Sequence, residues 1–205
     1  MSISTGNWLV LGGHRVDLLS VFSEPVKLKA HVDDYPATSR LEARLAALLA
    51  GAGQRPVIIL CIGTDRSTGD SLGPLIGTHL LKFSLPHLQV WGTLDEPVHA
   101  ANLEETLNLL AQRFQNPFVI AVDACLGRLD SVGCITLAEG PLKPGAGVHK
   151  HLPEVGEAHL TGIVNVGGFM EYMVLQNTRL SLVWKMAQTI SNLISRAYLR
   201  ASCSA

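Results

Sequence analysis

The stretch Val57–Pro74, VIILCIGTDRSTGDSLGP, constrains this chain more than any other. It opens with the apolar run Val57 to Ile62, short and rich in β-branched side chains, which reads as a fully buried strand. A polar loop from Gly63 to Asp70 follows, with two glycines in it. After Gly73-Pro74 an amphipathic helical pattern begins with Leu75, Ile76, His79, Leu80 and Phe83. Strand, polar loop and helix in that order build a site in a parallel α/β sheet, because ligands sit beyond the carboxyl ends of the strands. Asp70 falls where the loop meets the helix.

The same rhythm continues downstream. Leu88 to Leu94 reads as a second strand. Ala101 to Phe114 reads as a helix with Leu103, Leu107, Leu110 and Phe114 in register and Asn102 as its N-cap. Phe118 to Val122 is a third strand ending on Asp123. Strands alternating with helices predict a right-handed parallel sheet. Gly133 to Leu137 is also strand-like, but only the short turn Leu126 to Ser131 precedes it. A parallel crossover needs a dozen or more residues, so this strand is expected to run antiparallel to the rest. A Gly/Pro-rich loop over 139–158, a last strand Leu160 to Val166 and a mostly helical Phe169 to Leu199 complete the domain, with Thr178 as the cap of the longest helical segment.

Upstream, Ser39 to Ala50 carries a helical apolar face, and Ser39-x-x-Glu42 has the form of a capping box. Asp33-Asp34-Tyr35-Pro36 reads as a break before it. Val26, Leu28 and Ala30 alternate with Lys27, Lys29 and His31, as in a half-exposed strand. The expected organisation is an N-terminal extension, 1–37, packed on one α/β domain, 38–205. That domain is a three-layer fold: a mostly parallel twisted sheet with one antiparallel strand and helices on both faces.

Composition narrows the function classes. The net charge of −1 leaves no electrostatic footprint for nucleic acid or an anionic membrane. No apolar run approaches the roughly 18 residues of a membrane span. The start MSISTGNWLVLGG lacks the basic region, apolar stretch and cleavage site of a signal peptide. Four cysteines without a CxxC pair make no disulfide framework, so a cytoplasmic setting is expected. The chain is 47% hydrophobic and only 16% charged, which allows buried surface between copies, and a homo-oligomer is among the expectations.

The chemistry rests first on Asp70 and Asp123. If their strands are neighbours, both carboxylates point into one crevice at the topological switch point. Such a pair can share a proton, one acting as base on water and the other as acid on the leaving group. It can also hold a divalent metal jointly. The plainer readings are an N-cap for Asp70 and a turn-ordering role for Asp123. A helix N-terminus favours the charged form of Asp70, while a second carboxylate disfavours it. Thr64 and Asp65 in the loop, Glu96 after the second strand, and His149 and Lys150 in the long loop are expected to hold substrate. His149, His151 and His159 are metal-ligand candidates or surface residues. Cys125 is either a nucleophile or a buried structural thiol. The loop lacks the GK[ST] ending of a P-loop and no GxGxxG follows the strand, so nucleotide binding is disfavoured.

The segments CIGTDRSTGDSLGP, TLDEPVHA, VIAVDACLG, PLKPGAGV and TGIVNVGGFMEYMVLQNTRL, in this order, resemble the YyaC family, which is grouped with spore proteases. The resemblance runs from about Val57 to Leu199. That family is similar to the germination protease, which degrades small acid-soluble spore proteins, and both are similar to hydrogenase maturation endopeptidases. The resemblance implies a phosphorylase/hydrolase-like fold and an endopeptidase of spore formation or germination. It also implies a cytoplasmic or spore-interior location and a protein or peptide substrate such as the small spore proteins. Asp70 in GDSLGP matches a functional aspartate of the germination protease motif PDALGP, and Asp123 in VIAVDA matches one in a motif like VIAIDA. The hydrogenase peptidases hold a metal with acids at these two places plus a histidine; no motif assigns that histidine here. PGAGVHKH resembles a PGSGVGNK stretch, with His149 in place of a glycine. Two other readings stand beside the first: a non-proteolytic peptide- or metal-binding sporulation protein, and a metal-dependent peptidase acting on one protein's tail.

Overall fold

The computed structural model describes residues 8–11, 14–17, 27–144 and 152–203. Strands β1 (Trp8–Leu11) and β2 (His14–Asp17) form an antiparallel hairpin of their own. The main sheet has six strands: β3 (Lys27–His31), β4 (Val57–Cys61), β5 (Leu88–Trp91), β6 (Phe118–Gly127), β7 (Cys134–Glu139) and β8 (Ala158–Val166). Their spatial order is β3-β7-β8-β6-β4-β5. β8, β6, β4 and β5 pair in parallel, and β7 runs against both β8 and β3. The reversed strand follows from chain length. Between β6 and β7 lies only a single 3-10 turn, Leu129–Ser131, too short to cross over the sheet.

Helices α1 (Tyr35–Gly51), α2 (Leu72–Leu81) and α5 (Leu180–Ser202) pack on one face, and α3 (Leu103–Arg113) on the other. A short helix, α4 (Glu171–Gln176), follows β8. The larger core joins Leu41, Leu45, Ile76, Met186 and Ile190 to Ile59, Ile120 and Leu160 of the sheet. The smaller one joins Leu103 and Leu110 of α3 to Ile58, Leu60 and Ala121, with Leu142 and Val155 closing its side. β4 is buried at every position, as its unbroken apolar run requires.

Four local expectations change. The chain enters the sheet at Lys27, and α1 starts at Tyr35, so residues 27–37 form a continuous strand–helix unit with the rest. Asp34 caps α1: its Oδ1 accepts from the Ala37 N–H at 3.0 Å, and Pro36 sits in the first turn, where a proline is tolerated. Ser39 is therefore inside the helix and caps nothing. β6 does not end at Asp123 but runs to Gly127, because β8 pairs with it along that length, with an irregularity between Cys125 and Leu126. The C-terminal helical stretch is broken at Asn177-Thr178, and Thr178 does not cap α5. Its hydroxyl donates to the Val174 carbonyl at 2.8 Å and accepts from Asn165 Nδ2 at 3.2 Å, tying α4 to β8.

Candidate active site

From β4 the chain passes through α2 to β5 on one side. It then returns through α3, on the opposite face, to β6 on the other side. The switch point of the sheet therefore lies between β4 and β6. These strands are direct neighbours, in register from Val57↔Phe118 to Cys61↔Val122. Asp123 stands one residue beyond that last pair. Asp70 is delivered by the loop that leaves β4 on the adjoining side.

The loop folds onto itself. The Thr64 N–H donates to the Asp70 carbonyl at 3.1 Å, and the Ser71 N–H to the Ser67 carbonyl at 2.9 Å. The Gly69 N–H donates to the Leu175 carbonyl at 2.9 Å, which fastens the loop to α4. Gly73 lets α2 come down on the end of β4: a Cβ there would lie 2.0 Å from the Ile62 carbonyl oxygen. These bonds spend several of the loop amides within the protein.

The two carboxylates have different surroundings. Burial pushes Asp123 up to about 8; the N–H of Ala124, at 2.8 Å, pulls it down, and the nearby charge of Asp70 pushes it up again. Burial also raises Asp70, and the Ser67 hydroxyl lowers it. That hydroxyl is buried and faces Asp70 without reaching full hydrogen-bond geometry to any partner among the described residues. The charge of Asp70 thus reaches Asp123 and, together with burial, favours the protonated form of the Asp123 carboxyl.

Thr64 is half-buried at the start of the loop, and its Oγ1 accepts from the Arg66 N–H at 3.3 Å. Asp65 is exposed beside it. Glu96 lines a separate cleft of about 530 Å³ with Trp91, His99, Asn102 and Arg113, and neither aspartate lines that cleft. His149, Lys150 and His151 lie outside the described residues. The His159 ring is held by the Gly140 carbonyl, 2.9 Å from Nδ1. The Cys125 thiol is raised by burial and by Asp123 and lowered by Thr161, Lys27 and Lys29. A thiol raised by burial is a poor nucleophile, so the structural reading suits it better.

Sequence reasoning passed over Ser67 and Thr161. Ser67 is one of several small polar residues in its loop, and only the fold turns it inward. Thr161 is paired in register with Asp123; its signal was the alternation along β8, which leaves every second residue outside the core.

A metal needs more donors than this pair. Among the described residues no group of three or more His, Cys, Asp or Glu side chains converges on one point. Asp70 and Asp123 alone fall short of the usual ligand number.

Near Asp70, the segment after β8 exposes Phe169, Met170, Tyr172 and Met173, with Phe169 82% exposed. Through Leu175 it is bonded to the Asp70 loop.

The fold is that of a maturation-protease-like α/β protein. The crystal structure of a [NiFe] hydrogenase maturation protease HycI from Thermococcus kodakarensis matches with a TM-score of 0.50 at 15% identity, over 75% of this chain and 99% of that one. At that identity the likeness shows the fold alone.

The chain belongs to the family described as protein of unknown function DUF1256, whose model matches residues 29–193. It is 52% identical over 177 residues to the uncharacterized protein YyaC of Bacillus subtilis, covering 85% of this chain and 86% of that protein.

Proposed function

We propose that this protein is an endopeptidase in which Asp70 and Asp123 share one proton and hydrolyse a peptide bond. The observation that carries the reading is the placing of both carboxylates beyond the paired ends of β4 and β6, where the charge of Asp70 helps push Asp123 up to about 8. Near neutral pH Asp123 keeps its proton and serves as the acid toward the leaving amine. Asp70, beside the start of α2, serves as the base that takes a proton from water as it attacks the carbonyl. The exposed apolar side chains of 169–173 favour a polypeptide over a small polar substrate.

The resemblance to spore proteases supplies the setting, a sporulating cell or the spore interior, and small spore proteins as substrates. Four unpaired cysteines suit a reducing compartment. No helix among the described residues is long and apolar enough to cross a membrane.

The test is cleavage of purified small spore proteins by wild type, Asp70→Asn and Asp123→Asn. Each substitution should lower kcat by ~10²-fold or more, the usual contribution of a positioned acid or base. Undiminished cleavage by both variants would remove the mechanism. Saturable peptide binding with no turnover by wild type would point to the non-proteolytic alternative.

A further inference from the structure

Alternation along β3 splits its side chains between two faces. Ala30 and Leu28 join the core under α1. Lys27, Lys29 and His31 therefore project from the other face, and all three are exposed. Lateral register then draws a line across the sheet. Lys29 pairs with Thr136, Thr136 with Thr161, and Thr161 with Asp123. Residues paired across strands project to the same face, so Lys29, Thr136, Thr161 and Asp123 form one polar row over four strands. The apolar cluster beneath α3 reaches β6 at Ala121 and contains no residue of β7 or β8, so that helix does not roof the row, although Thr136 within it is itself buried between Lys29 and Thr161.

Lys29 is tethered to the turn before β7 without being neutralised. Lys29 Nζ donates to Ser131 Oγ at 2.5 Å. Ser131 in turn donates to Asp130 at 2.9 Å, and Asp130 is engaged by Arg128 at 3.6 Å. Among the described residues neither Lys27 nor Lys29 forms an ion pair, whereas Lys143 and Lys185 both do. Cys125, next to Thr161 on the same face, feels Asp123 on one side and both lysines on the other. A ligand lying over Thr161 and Cys125 spans the two charged ends. Lysines on an edge strand also discourage strand pairing between molecules; that role needs no particular face, whereas these two share the sheet face of Asp123.

We propose that Lys29, assisted by Lys27, is an anion subsite that holds a carboxylate of an acidic polypeptide while a nearby peptide bond lies at Asp70 and Asp123. Three strand spacings of about 4.8 Å put the Cα atoms of Lys29 and Asp123 ~14 Å apart. Released from Ser131 and turned across the sheet, the lysine stem would shorten the gap to ~8–10 Å, or two to three residues of extended chain at about 3.3 Å each. The carboxylate belongs to an acidic side chain at that spacing or to the chain's own C-terminus. This inference names the substrate class for the hydrolytic reading, but its readout is binding and needs no turnover.

The experiment is equilibrium binding of rhodamine-labelled short peptides to the full chain carrying Asp123→Asn. One series varies Glu against Gln at each position, and a second varies a free against an amidated C-terminus. An acidic peptide should bind ~10-fold tighter than its neutral twin, as a charge-assisted hydrogen bond provides, and salt should weaken the preference. Lys27→Gln/Lys29→Gln should abolish the preference with an unchanged melting temperature, and Lys29→Arg should retain it. The series that shows the effect identifies the source of the carboxylate. Equal binding of acidic and neutral peptides, a preference that survives the double substitution, or no binding of any peptide overturns the subsite. If the preference is present but wild type cleaves nothing, hydrolysis falls and the subsite stands; cleavage without charge preference does the reverse.

Discussion

Replacing Asp123 by asparagine should make the protein more stable near neutral pH, and the gain should disappear in acid. Burial is the largest influence on this carboxyl and lifts it from 3.8 to about 8 in the folded chain. The sign follows from linkage. The folded value lies above the unfolded one, so the native state holds a proton that the unfolded state has released. The stabilisation is fully present below the unfolded value and is lost as pH rises through the folded one. Within that window each pH unit removes about 1.4 kcal/mol. Asp123 is only half-buried, so solvent shares its charge, and the working penalty near neutral pH is ~2–4 kcal/mol. Asparagine has the same shape and does not titrate. For a chain of this size 1 kcal/mol moves the midpoint by about 2–4 °C, so Asp123→Asn should melt ~5–15 °C higher near neutral pH. Below about pH 4 it should melt with wild type. Asp70→Asn removes the like charge that also raises Asp123, so wild type's downward slope with pH should become shallower in that variant. Urea or thermal unfolding across the pH range reads all three proteins. A wild-type profile that is flat between acid and neutral pH and superimposes on Asp123→Asn would refute a buried, proton-holding Asp123.

Gly73→Ala should destabilise the fold by ~3 kcal/mol or more and displace Asp70, because the new methyl meets the Ile62 carbonyl at 2.0 Å. Gly51→Ala is its control: nothing lies within 4 Å of that site, and alanine in a helix should stabilise by ~0.5–1 kcal/mol. Similar unfolding midpoints for the two variants would contradict the close approach of α2 to β4. Timed alkylation followed by mass spectrometry should label exposed Cys203 first, half-buried Cys125 more slowly, and buried Cys61 and Cys134 last. Cys125 reacting ahead of Cys203 would mean a stabilised thiolate in the crevice and would reopen the nucleophile reading.

Local signals carried a good part of this architecture. The unbroken run of β4 and the alternation of strands with helices specify a parallel sheet, and the short link before β7 specifies its reversal. What sequence could not show is what depends on partners far along the chain. The alternation in Lys27–His31 is visible, yet its place in the sheet depends on β7, about a hundred residues later. Asp34-Tyr35-Pro36 reads as a break because proline usually stops a helix, but in a first turn it starts one. The two aspartates were visible as acids at strand ends. Ser67, Thr161 and Lys29 were not, because only the returning loop sets Ser67 beside that pair and only the lateral register of four strands puts Thr161 and Lys29 in line with it.

The reversal of β7 also bears on what the crevice can accept. A parallel strand in that place would need a crossover, usually a helix, and a right-handed crossover would lie on one face of the sheet. On the face of Asp123 such a helix, about 10 Å across, would stand over Thr161 and Thr136. The short link from β6 to β7 removes that obligation and leaves the Asp123 row to run sideways toward the edge strand. A site at the switch point of a fully parallel sheet is a pocket between strand ends. Here the acid pair has a polar row extending across three further strands, ending at lysines that form no ion pair among the described residues. A row of that length suits an extended chain, and the unequal charge at its two ends gives such a chain a direction. The same short connection that reverses a strand is thus what the proposal of a polypeptide occupant, rather than a compact metabolite, rests on.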